Sequence, residues 1–101
     1  MIIYNVTINI EEGIAEEWLQ YMKEEHIPDV LRTGCFVEHR ISKLLTRQDD
    51  ETGITYNIQY HCPDMETFDR YESEFAPDLK QDVIDKYGGK FVAFRSLMET
   101  V

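Results

Sequence analysis

A chain of 101 residues, 43% of them hydrophobic, has room for one domain, residues 1–101, around one core. Asp and Glu outnumber Lys and Arg by 20 to 10, and the net charge of -10 keeps a protein soluble while repelling nucleic acid and anionic membrane. Cys35 and Cys62 have no CxxC partner and no zinc-ligand spacing, there is no basic, apolar leader at Met1, and no apolar run nears the ~20 residues of a membrane span, so the expectation is a cytoplasmic protein without a metal site.

The first element alternates. Ile2, Tyr4, Val6, Ile8 and Ile10 share one face and Ile3, Asn5, Thr7 and Asn9 the other, the period of a strand. A helical pattern follows through Ile14, Trp18 and Met22, with Glu11, Glu12, Glu16 and Glu17 at the N-terminal end that suits acids. Pro28 is expected to break or kink this helix near His26 and Ile27, and a short turn from Asp29 to Arg32 then ends at Gly34. Cys35 to Arg47 reads as a long strand, Gln48 to Gly53 as a polar turn, and Ile54 to His61 as a second alternating strand, which together make a hairpin. Pro63 and Asp64 open a long helix whose buried stripe is Phe68, Tyr71, Phe75, Leu79, Val83 and Tyr87; Pro77 should bend it and Gly88-Gly89 stop it. Lys90 to Glu99 is the last strand.

The order β-α-β-β-α-β predicts an α+β, ferredoxin-like fold: a four-stranded antiparallel sheet in the order 4-1-3-2 with two helices on one face. The basic residues Arg40, Lys43, Lys90 and Arg95 belong to the outer strands, as edge positions favour. Ile2, Tyr4, Val6, Ile8, Ile54, Tyr56, Ile58 and Tyr60 are assigned to the helix side, and on the last strand so are Val92, Phe94 and Met98. That leaves Ile3, Asn5, Thr7, Asn57, Gln59, His61, Phe91, Ala93, Arg95 and Leu97 on the open side, a mixed surface that a second copy of the chain can cover. The alternative is a monomer with one wetted sheet face.

The run Trp18-Leu19-x-Tyr21-Met22-x-x-x-His26-Ile27-Pro28-x-Val30-Leu31-x-x-Gly34-x-Phe36 resembles the first helix and second strand of the dimeric α/β-barrel proteins. Tyr71, Ala76-Pro77-x-Leu79 and Arg95 look similar too, and the opening Met1-Ile2-Ile3-Tyr4-Asn5-Val6-Thr7 resembles a short bacterial family of unknown function in that superfamily. The resemblance implies a homodimer whose two sheets enclose a small cavity. Its members include cofactor-free monooxygenases, haem-degrading enzymes, dehydratases and binding domains without catalysis. In several of them a polar residue at the end of the first helix borders the cavity, and His26 is the matching position.

His26 is therefore the candidate catalytic residue, as a general base, a hydrogen-bond donor or a haem ligand; its alternative role is to cap a helix C-terminus. Asn5, Asn57 and Arg95, with His26, are the candidate ligand-binding residues for a polar or anionic molecule; the alternative for Asn5, Asn57 and Arg95 is a polar network that sets the dimer register. His39 and His61 read as structural or surface residues, and Cys35 and Cys62 as small buried hydrophobes. No nucleophile motif and no glycine-rich phosphate loop is present, and no residue pattern names a cofactor. Two readings follow: a non-catalytic homodimer that binds a small molecule or a protein partner, or a small cofactor-independent cavity enzyme of the monooxygenase kind.

Overall fold

In the computed structural model, which describes residues 1–46 and 51–101, the first alternation becomes strand β1 (Ile2–Ile10), with its even-numbered residues buried. After a 3-10 turn at Glu12–Ile14 the chain runs through α1 (Ala15–Tyr21), a π turn (Met22–His26) and α2 (Ile27–Arg32). Pro28 does not break this path. The widened turn accommodates its ring: Ile27 N–H bonds to the Met22 carbonyl, five residues back, and Pro28 follows as the second residue of α2. Gly34, at a φ of 76°, carries the chain out.

Strand β2 (Glu38–Lys43) is shorter than the predicted Cys35–Arg47 run. Cys35 and Phe36 turn inward instead, and the Phe36 ring packs 4.8 Å from Tyr71 and 5.2 Å from Tyr60. Arg47, with Gln48, Asp49 and Asp50 of the predicted turn, lies outside the described residues. Strand β3 (Ile54–Cys62) follows. Asp64 then caps α3 (Met65–Glu74) by accepting a bond from Thr67 N–H at 2.8 Å. Where Pro77 is expected to bend one long helix there are two: Phe75, at a φ of -117°, separates α3 from α4 (Ala76–Tyr87), which carries Pro77 in its first turn. Tyr87 ties the end of α4 to α1, its hydroxyl donating to Glu17 Oε2 at 3.1 Å.

Strand β4 (Phe91–Glu99) completes one antiparallel sheet in the order β2-β3-β1-β4, the predicted arrangement. The core lies between one face of this sheet and the helices: Tyr4 meets Phe68 and Tyr71, and Trp18 meets Tyr56 at 5.2 Å.

The predicted parity of β4 is reversed. Ala93 stands opposite Ile8, Arg95 opposite Val6 and Leu97 opposite Tyr4, so Phe91, Ala93, Arg95 and Leu97 are on the helix side. Val92, Phe94 and Met98 are on the open side with Asn9, Thr7 and Ile3, where Val92 and Phe94 keep 71% and 68% of their surface exposed. Residues opposite each other share a face. The strand carries apolar side chains at both parities, so its own alternation is silent and pairing with β1 decides.

Candidate functional site

Between the helices and the inner sheet face lies a cavity of about 190 Å³. Central strands β1 and β3 form its floor through Tyr4, Val6, Ile8, Ile58 and Tyr60, and edge strand β4 adds Ala93 and Arg95. Met22, His26 and Val30 come from the first helical path, and Tyr71, Leu79, Lys80 and Val83 from α3 and α4. The walls are mostly apolar or aromatic, with a few polar groups converging, the usual make-up of a small-molecule site.

The π turn positions His26. Buried residues of the first helical path follow regular helical steps at Ala15, Trp18 and Met22, then jump five places to Ile27 before Val30. The extra residue in that turn shifts the helical phase and brings the His26 ring to the cavity wall. His26 thus lies within a continuous helical path and does not cap a C-terminus. Its ring stacks near Tyr21, with 6.4 Å between centroids. Burial lowers its pKa from the ordinary histidine range, the carboxylates of Asp29 and Asp82 pull it back up, and the Arg95 charge lowers it further.

Three tyrosines face the same space. Burial raises the pKa of Tyr4, Tyr60 and Tyr71, so all three are neutral hydroxyls at physiological pH. The Arg95 charge opposes the shift at Tyr4. Tyr60 is 2% exposed, and its hydroxyl has no hydrogen-bond partner among the described residues. A buried hydroxyl left in that state costs roughly 1–3 kcal/mol, so it calls for a partner.

The candidate residues named from the sequence do not all meet. His26 and Arg95 line the cavity together. Asn5 and Asn57 are on the open sheet face, where Asn57 Nδ2 donates to Asn5 Oδ1 at 2.9 Å and to Thr7 Oγ1 at 3.1 Å. His61, on that same face, lies 4.0 Å from Glu38, and His39 is exposed on edge strand β2 opposite Tyr60. Cys35 and Cys62 are buried thiols. Among the described residues no three His, Cys, Asp or Glu side chains converge on a metal position, and no helix is long and apolar enough to cross a membrane.

Sequence reasoning did not single out Tyr4, Tyr60 or Lys80 for this site. A signal was present: Tyr4, Tyr56 and Tyr60 occupy core-facing strand positions where Ile or Val would fill the space without a hydroxyl to satisfy. A larger groove of about 600 Å³ between the Glu12–Ile14 turn, α1 and β2 is rimmed by Glu12, Glu16, Lys23 and Lys43. It is the more open of the two and, among the described residues, brings no histidine or arginine to its wall, so the smaller cavity is the better candidate.

Fold and cavity together define a ferredoxin-like α+β protein with a space for a small molecule between its helices and sheet. The profile of a domain of unknown function, DUF4286, matches residues 1–101, and the chain belongs to that family. No curated protein shows similarity to it. Among solved structures, an EthD (ethyl tert-butyl ether D) family protein from Bacillus halodurans superposes with a TM-score of 0.73 at 9% identity, covering 100% of both chains. A dimeric ferredoxin-like protein from an uncultured marine organism gives 0.71 at 14% identity, over 99% of this chain and 94% of that one. SnoaB, a cofactor-independent oxygenase from Streptomyces nogalater, gives 0.64 at 14% identity, over 99% and 92%. At such identities the likeness shows the fold alone.

Proposed function

We propose that this protein is a cytoplasmic homodimer that binds a small molecule in the cavity between its helices and sheet and does not transform it. The observation that carries the reading is the meeting of His26 and Arg95 at one cavity whose other walls are mostly apolar or aromatic. The absence of catalysis rests on His26: no carboxylate lies within 4.0 Å of its ring among the described residues, so nothing there orients it as a base in a triad-like arrangement. Dimerisation rests on the open sheet face, where Val92, Phe94 and Met98 are exposed beside the Asn5–Asn57 pair. Exposed apolar groups of this kind suit a covered surface.

A second reading, a cofactor-independent cavity enzyme, draws on one observation. Burial holds His26 neutral at physiological pH, the state a general base needs, and the ring lines the cavity.

Native mass spectrometry of protein purified without added ligand tests the proposal. A dimer carrying a reproducible extra mass is the expected result. Recovery of that mass unaltered after incubation in air favours binding, and conversion to an oxygenated product favours the enzyme. A monomer, or a dimer that takes up no small molecule from a metabolite extract, overturns the proposal.

A further inference from the structure

The chemistry of the cavity wall narrows the molecule that fits it. Arg95 forms no ion pair among the described residues, as most Lys and Arg side chains here do not, but unlike those others it stands at the wall of this cavity, where its charge is free to meet an anion. It projects from β4 on the helix side, opposite Val6, and lines the cavity next to the Tyr4 hydroxyl. Lys80 reaches the same cavity from α4, partly engaged by Glu72 at 3.6 Å. Asp29 and Asp82 act electrostatically on His26, and Asp29 is paired with Arg32. The interior beyond these charges is Val6, Ile8, Met22 and Ile58, with the Tyr60 side chain beside them.

We infer that the ligand is a small carboxylate with an apolar body, its carboxylate held by Arg95 with Lys80 and its body packed in the aromatic and aliphatic interior. The inference rests on the reading of this cavity as a ligand site. A guanidinium presents a planar fork that matches a carboxylate with two parallel bonds, which a neutral polar group cannot use fully. The volume of about 190 Å³ corresponds to about six water volumes. That is room for one ring or a short branched chain.

The test titrates the full chain with three single-ring probes of nearly equal size: benzoate, benzyl alcohol and benzylamine. Binding is followed by amide chemical shifts and calorimetry. Benzoate is expected to bind at least about tenfold more tightly than benzyl alcohol, with shifts at Tyr60 and Arg95. Arg95→Gln should bring benzoate down to the level of benzyl alcohol, whereas Lys90→Gln, at an exposed position outside the cavity, should leave the affinities for both unchanged. Bound benzoate should also raise the His26 pKa, because it adds a negative charge beside Arg95 to those of Asp29 and Asp82. Benzoate affinity should then increase as pH falls through the His26 titration, as long as the probe stays ionised. Equal affinity for the acid and the alcohol, a preference for the amine, or indifference to Arg95→Gln overturns the anion inference and leaves the cavity reading standing. No binding of any probe, with no shift at the cavity residues, overturns both.

Discussion

Gly53 stands at a φ of 76°, and a methyl group added there would lie 2.5 Å from Asn9 Oδ1 and 2.8 Å from the Ile10 carbonyl. Neither neighbour is free to retreat. Asn9 Nδ2 donates to the Thr52 carbonyl at 2.9 Å and to Thr55 Oγ1 at 3.1 Å, which pins the start of β3 to β1. Gly53→Ala should therefore destabilise the fold by about 1–3 kcal/mol, from the left-handed backbone and from the clash. Urea unfolding of the two proteins measures it, and an unchanged midpoint would mean that this turn relaxes freely. Tyr60 poses the opposite problem at the same scale, a polar atom with too few contacts where Gly53 has no room for one more.

Among the elements, α3 depends on a short polar contact at its start. The Asp64 carboxylate accepts from Thr67 N–H, and these hydrogen bonds hold its pKa below the usual carboxylate range. A carboxylate whose folded pKa is depressed stabilises the fold at pH values above its unfolded pKa, and that stability is lost as pH falls through the folded value. Asp64→Ala should thus lower stability at pH 7 and make a smaller difference at pH 2.5, as read from urea midpoints of both proteins at both pH values. An equal loss at the two pH values would show that the carboxylate charge is not what caps the helix. The π turn is the other decisive element. Pro28 supplies its cause and His26 its consequence, since one extra residue per turn changes which side chains face the sheet.

At the scale of the whole molecule, the open sheet face decides the assembly. Val92 and Phe94 are largely exposed there, flanked by polar groups that bond to one another. If that face joins two copies, Phe94→Asp places two carboxylates in the interface and should give a monomer by light scattering where the unchanged chain gives a dimer. Because Phe94 is already exposed, the substitution should leave the far-ultraviolet circular dichroism unchanged. A Phe94→Asp dimer would move the interface to another surface.

Alternation alone determined which faces of β1 and β3 are buried, and with the helical stripes it determined the element order; the strand order followed from the economical packing of that element order. That Pro77 disturbs its helix was equally legible, though not that it divides the helix in two, since a ring that lacks an N–H and crowds the preceding turn acts locally. Tertiary structure alone decided the parity of β4, because apolar side chains at Phe91, Val92, Phe94 and Leu97 leave no alternation to read and only the register with β1 chooses. It also decided the course past Pro28, where packing of Ile27 and Val30 into the core outweighs the local preference to break. For the site, His26 and Arg95 were legible as residues, but their meeting was not, and neither was their separation from Asn5 and Asn57 by the thickness of the sheet. A cavity exists only where elements distant in the chain fail to fill the space between them, and that is a property of their packing, which no single segment carries.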